Sequence, residues 1–159
     1  MDLRIELLRK GHRPEDFDCG KPQLNEWLHR FALQQQDKNY ARTRVVVDEK
    51  DPGGVLGYYS LLPCQLDTQH FPAARKLPQR LPCLLLGKLA VAVKSMQQGI
   101  GALLLADAID RTRLAIAEVG GIGLFVEAID DEARSFYRHF GFEAFRDDDR
   151  RLFLNVAWP

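Results

Sequence analysis

The stretch that most constrains this 159-residue sequence runs from Cys83 to Val119. Cys83 to Val93 is apolar except for Gly87-Lys88, the pattern of a buried central strand. It leads through Gln97-Gln98-Gly99-Ile100-Gly101-Ala102 into a helix predicted from about Gln97 to Val119. That helix carries Leu103, Leu104, Ala108 and Leu114 on a broad apolar face and stops at Gly120-Gly121. A strand that turns directly into a long helix gathers the helix's first N–H groups at the positive end of its dipole, an arrangement suited to phosphate. Gly99 and Gly101 leave room for close approach of a diphosphate, or else serve only a tight turn; the two glycines alone leave both readings open. No Lys follows Gly101, so the stretch is not a Walker A loop. A third glycine is missing and the turn lies past mid-chain, so it is not a dinucleotide fingerprint either.

Around this junction the chain reads as one domain, residues 1–159, without repeats or linkers. Leu24, Trp27, Leu28 and Phe31 form an apolar stripe on a helix from Pro22 to Gln36. Thr43–Val47 reads as a strand running into the turn Asp51-Pro52-Gly53-Gly54, and Val55–Gln65 as its hairpin partner. Thr68 to Pro82 is an irregular loop. Beyond the long helix, Ile122–Ala128 is a short buried strand, Asp130–Phe140 a short helix ended by Gly141, and Phe142–Phe145 and Arg151–Val156 further strands. The sum is a mixed α/β sheet flanked by helices.

Lys plus Arg and Asp plus Glu number 22 each, and a net charge of zero argues against indiscriminate nucleic-acid binding. The charges are nevertheless segregated. Arg30, Lys38, Arg42 and Arg44 face only Asp37 in their stretch, and Arg75, Lys76, Arg80 and Lys88 have no acid among them. These residues either track a phosphate backbone or are ordinary solvated loops. Three scattered cysteines (Cys19, Cys64, Cys83) and four unpaired histidines give no zinc pattern and no disulfide framework, so no metal is expected. Cys19 and Cys64 have no adjacent His or basic residue to activate them, and Cys83 reads as buried and inert, which argues against a cysteine hydrolase. Acids at the N-terminus and the absence of a long apolar run point to a cytoplasmic protein with no membrane segment.

Several separated motifs carry a resemblance. Leu89-Ala90-Val91, Gln98-Gly99-Ile100-Gly101-Ala102 and Ala133-Arg134-Ser135-Phe136-Tyr137-Arg138-His139-Phe140-Gly141-Phe142 resemble the GNAT N-acetyltransferase superfamily. Phe17-Asp18-Cys19-Gly20, Leu24-Asn25-Glu26-Trp27-Leu28, Gly57-Tyr58-Tyr59-Ser60-Leu61 and Arg151-Leu152-Phe153-Leu154 are similar to one branch of it, the toxins paired with ribbon-helix-helix antitoxins. The resemblance spans roughly residues 15 to 156 and departs from the family's phosphate loop at Met96, where Gln or Arg is usual.

The resemblance implies a GNAT-like α/β fold: a mixed, mostly antiparallel central sheet with splayed middle strands, flanked by helices. It implies acetyl-CoA as co-substrate, held by Leu89, Ala90, Val91, Gln97, Gln98, Gly99, Ile100, Gly101 and Ala102. It further implies an acceptor, aminoacyl-tRNA, whose α-amino group is acetylated so that translation stops, with Arg30, Lys38, Arg42, Arg75 and Lys76 as candidate contacts. A ribbon-helix-helix antitoxin and a homodimer are the implied partners. Read alone, Tyr137 beside Phe136 is an ordinary packed aromatic; the resemblance makes it the general acid for the leaving thiolate. His139, two residues on, lies on another helix face. Two other readings stand beside this one: a GNAT enzyme acting on a small amine or a protein N-terminus, and a non-enzymatic binding member.

Overall fold

A computed structural model describes residues 1–73 and 76–156. Seven strands form one sheet in the order β1-β2-β3-β4-β5-β7-β6. They are β1 (Leu3–Leu7), β2 (Arg42–Asp48), β3 (Gly57–Asp67), β4 (Arg80–Val91), β5 (Gly123–Glu127), β6 (Glu143–Ala144) and β7 (Arg151–Asn155). The pairs β1–β2, β2–β3, β5–β7 and β6–β7 are antiparallel, and β4–β5 is parallel. The β4–β5 register runs from Leu84↔Leu124 to Leu86↔Val126, while β4 itself continues to Val91. This is the mixed, mostly antiparallel sheet expected from the resemblance. By contacts the chain forms two compact units, 1–62 with 88–108 and 63–87 with 109–159.

In the first unit, Val45, Val46 and Val47 of β2 are fully buried, as a strand covered on both faces requires. The helical path from Pro22 is not one α-helix. It divides into α1 (Pro22–Glu26), a π-helical turn (Trp27–Phe31) and α2 (Ala32–Asp37). A π turn inserts one residue and rotates the following face. Leu24, Leu28 and Ala32 are therefore buried, whereas Phe31, expected in the stripe, stays 40% exposed.

The long helix α3 (Ile100–Val119) begins three residues later than expected. Its buried residues are Ile100, Leu104, Leu105, Ala108 and Thr112, largely at four-residue spacing; Leu103 and Leu114, placed on the apolar face by the sequence reading, are exposed. β1 was absent from the sequence reading altogether. It is an edge strand whose polar Arg4 and Glu6 alternate with Leu3, Ile5 and Leu7.

Gly57 fixes how closely β3, β4 and α3 approach. A Cβ there would lie 2.9 Å from Leu104 Cδ1, 3.0 Å from the Ala90 carbonyl oxygen and 3.2 Å from Ile100 Cγ2. The carbonyl is backbone and cannot swing aside. Gly57→Ala is expected to destabilise the protein by about 1–3 kcal/mol, the usual cost of overpacking. Denaturant unfolding with an unchanged m-value measures it.

The second unit is built on phenylalanine. Phe71, Phe125, Phe145 and Phe153 cluster with Leu66 and Cys83, and Phe71 meets Phe153 edge-on at 4.9 Å. The Arg151 guanidinium lies 4.3 Å from the centre of the Phe145 ring. The same unit carries α4 (Asp131–His139) and the end of α3 from Ile109.

Candidate active site

The turn between β4 and α3 is held from the N-terminal side of the chain. The Val93 N–H donates to the Asp18 carbonyl (2.8 Å), and the Ala92 N–H to that of Leu56 (2.8 Å). Asp18 is itself clasped: its carboxylate accepts from the Gly20 N–H (2.8 Å) and from the Asn25 amide (2.9 Å), while the Asn25 oxygen accepts from the Cys19 N–H (2.8 Å). Those hydrogen bonds hold the Asp18 carboxyl below its ordinary range. The Asp18-Cys19-Gly20 and Leu24-Asn25 motifs thus have a shared task, which is to position the end of β4.

Tyr58 ties the same corner together. Its hydroxyl donates to the Leu24 carbonyl (2.7 Å), its ring meets Phe17 edge-on at 5.4 Å, and it stacks on Trp27 at 5.9 Å. Tyr59 on the next position donates to the carboxylate of Asp107 on α3.

Beyond a short 3-10 turn (Val93–Ser95), the residues Met96, Gln97, Gln98 and Gly99 are all exposed. Gln97 has φ 63° and Gly99 φ 78°, both left-handed. At Gly99 the conformation calls for glycine, and nothing lies within 4 Å of where its Cβ would be. No neighbouring protein atom demands that open space; a bound group would use it. The first helical bond here runs from the Leu103 N–H to the Gly99 carbonyl (3.0 Å), so the N–H groups of Ile100, Gly101 and Ala102 precede the ladder. The fit to a pyrophosphate is good: backbone donors that precede the helical ladder, a helix start and a missing side chain. Met96 contributes no donor but is 42% exposed and obstructs nothing in the protein.

Tyr137 belongs to the second unit. Asp130 caps its helix, its carboxylate accepting from the Ala133 N–H (2.8 Å), and Phe140–Phe142 turn away through Gly141 at φ 94°. Tyr137 is 5% exposed and packs at 5.3 Å on both Phe136 and Phe142. Burial pushes its phenol well above the ordinary value, so the proton stays on oxygen throughout the physiological range. His139 is exposed and meets Phe140 edge-on at 5.0 Å.

The basic candidates divide among different settings. Arg30 is exposed and paired with Glu26 (3.0 Å), a turn away on the same helical path. Lys38 and Arg42 are exposed around the end of α2, where Arg42 donates to the Gln36 carbonyl at 3.4 Å. Lys76 is exposed in the second unit, and Arg75 lies outside the described residues. Sequence reasoning missed the placement of Lys88, whose ammonium stands 5.5 Å over the Trp27 ring, one residue before Leu89. Its signal was a lone cation inside an apolar run. Among the described residues no group of three or more His, Cys, Asp or Glu is placed to hold a metal, and no helix is long and apolar enough to cross a membrane.

The sequence profile of the acetyltransferase (GNAT) domain matches residues 41–144, which include β4, the turn and Tyr137. The chain belongs to the GNAT acetyltransferase family. Its similarity to individual members extends further. It is 35% identical over 140 residues to a tRNA-acetylating toxin of Mycobacterium tuberculosis (strain ATCC 25618 / H37Rv), covering 87% of this chain and 82% of that protein. Among solved structures, a tyrosine-to-phenylalanine mutant of KacT superposes with a TM-score of 0.92 at 28% identity, covering 98% of this chain and 96% of the other. AtaT in complex with acetyl-methionyl-tRNAfMet gives 0.89 at 30% identity, covering 98% and 95%. AtaTR bound with acetyl-CoA gives 0.85 at 31% identity, covering 98% and 94%. As a member of the GNAT acetyltransferase family, this chain has an enzyme's fold.

Proposed function

We propose that residues 1–159 act as one acetyl-CoA-dependent domain that acetylates the α-amino group of aminoacyl-tRNA, the toxin of a toxin–antitoxin pair. The observation that carries the reading is the β4–α3 turn, with Gly99 open and left-handed before the first N–H groups of α3. The acceptor class is supported by the tRNA-acetylating relative and by the tRNA complex of AtaT.

In this reading Ile100, Gly101 and Ala102 hold the diphosphate through their backbone N–H groups, with Gln97, Gln98 and Gly99 shaping the loop around it. The backbone of Leu89, Ala90 and Val91 aligns the thioester and donates to its carbonyl oxygen. Acetyl-CoA supplies an activated acetyl group. The acceptor amine needs little help: an α-amino group has a pKa of about 7.7–8.0, so a useful fraction is neutral near pH 7. Tyr137, held protonated by burial, acts as donor to sulfur as the carbon–sulfur bond breaks, and not as a base. Arg30, Lys38, Arg42, Arg75 and Lys76 meet the RNA backbone. A ribbon-helix-helix antitoxin, a homodimer and a cytoplasmic setting complete the proposal; AtaT has been solved with the C-terminus of its antitoxin AtaR.

The test is transfer of radiolabelled acetyl from acetyl-CoA to a pool of aminoacyl-tRNAs. Label on RNA that is lost on deacylation is expected, and Lys38→Glu with Arg42→Glu should raise KM for RNA about tenfold or more with little change in kcat. Label confined to free amines or protein N-termini overturns the acceptor; no label with any amine overturns the reading as a whole.

A further inference from the structure

Cys64 and Cys83 are 19 positions apart in sequence, yet their sulfurs stand 2.8 Å apart as free thiols. The sheet explains the meeting. β3 and β4 are neighbours, and the Thr68 N–H donates to the Gln79 carbonyl (3.0 Å) where the chain turns from one to the other. Stepping back along β3 and forward along β4 from that pair sets Cys64 opposite Cys83. Residues opposite one another on antiparallel strands have Cα atoms about 4.5–5.5 Å apart, inside the range of about 4.4–6.8 Å that disulfides span. In the sequence the three cysteines stand scattered, and nothing local marks this pairing.

We propose that Cys64 and Cys83 form a peroxide-oxidisable thiol pair, a modification site in which the two side chains close to a disulfide across β3 and β4. The two cysteines are not equivalent. Cys83 is 5% exposed within the phenylalanine cluster, whereas Cys64 packs against that cluster half-buried and is the one a small oxidant meets. The hydrogen bond between them favours the thiolate on Cys64, whose thiol is lowered, while Cys83 is raised by that bond and by burial.

Cys64 therefore attacks and Cys83 resolves. The Cys64 thiolate displaces hydroxide from hydrogen peroxide to give a sulfenic acid, and the hydroxide takes up the proton the thiol lost. The Cys83 sulfur then attacks the Cys64 sulfur, its proton leaving with the sulfenic oxygen as water. In sum, two thiols are oxidised by two electrons, and one peroxide is reduced to two waters. The product ties the base of the excursion that carries Lys76. Cys19 has no part in it: it is buried, its thiol is pushed up by burial, and its nearest hydrogen-bond acceptor is the Lys21 carbonyl.

The experiment is brief treatment of the native, reduced protein with hydrogen peroxide, then denaturation, alkylation and intact-mass measurement. The expected product has lost two hydrogens and presents one alkylatable thiol where the reduced protein presents three. Dithiothreitol restores all three. Trypsin cuts after Lys76 and Arg80, so the cysteines leave on separate peptides joined only by the new bond. Cys64→Ala and Cys83→Ala each abolish the two-hydrogen loss, and Cys19→Ser does not. Three alkylatable thiols after peroxide, a sulfinic acid on Cys64 without the cross-link, or a cross-link joining two chains overturns the proposal.

Discussion

Tyr137→Phe is expected to lower kcat for acetyl transfer by about 10²- to 10⁴-fold, the usual worth of a positioned proton donor. That is about 3–5 kcal/mol of transition-state stabilisation. The fold should be indifferent. Among the described residues no hydrogen bond holds the Tyr137 hydroxyl, and the ring contacts to Phe136 and Phe142 survive the change. The melting temperature should stay within about 2–4 °C, the shift that 1 kcal/mol produces at this size.

The pH profile separates this role from a base. An acid whose pKa is raised keeps its proton to higher pH, so Tyr137 imposes no loss of rate as pH rises towards 8. The rate should climb with pH through about 7.7–8.0 as the acceptor amine deprotonates, with the same limb in the Phe variant. A kcat within about threefold of wild type, with acetyl-CoA affinity unchanged, removes Tyr137 from the chemistry.

Gly99→Val is expected to weaken acetyl-CoA binding about tenfold or more, read by calorimetry. Two effects combine: a β-branched residue is strained at φ 78°, and its side chain enters the open space before α3. Gly120 provides a matched control. It too is left-handed, at φ 90°, with nothing within 4 Å of its Cβ position, but it follows the C-terminal end of α3, where the dipole repels anions. Gly120→Val should cost comparable stability and leave affinity as it was. Equal loss of affinity in both variants would show that strain, and not occupation of the phosphate space, is responsible.

The strand–turn–helix junction and the motif order were legible because they are local: each lies within a short window and carries its own periodicity. β1 was legible too, since Leu3-Arg4-Ile5-Glu6-Leu7 alternates strictly, but five residues read for their charge concealed the alternation. The π turn at Trp27–Phe31 left no such trace; an inserted residue looks like any other until Phe31 emerges into solvent. Charge lists leave out the partner of each charge. Arg30 counts as one unit of positive charge in a sequence, yet Glu26 sits 3.0 Å from it. What the sequence withheld altogether were contacts between distant segments, Cys64 with Cys83 across two strands and Asp18 with Val93 between two loops, because pairing over a long separation is a property of the whole fold.

The place of β7 in the sheet bears on how the molecule is made. Although β7 follows β6 in the chain, it lies between β5 and β6 and bonds to both, from Glu127↔Arg151 to Gly123↔Asn155 on one side and at Glu143↔Phe153 and Ala144↔Leu152 on the other. It also delivers Phe153 to the cluster of aromatic rings. The sheet of the half that bears Tyr137 therefore cannot be completed until Arg151–Asn155 have been made.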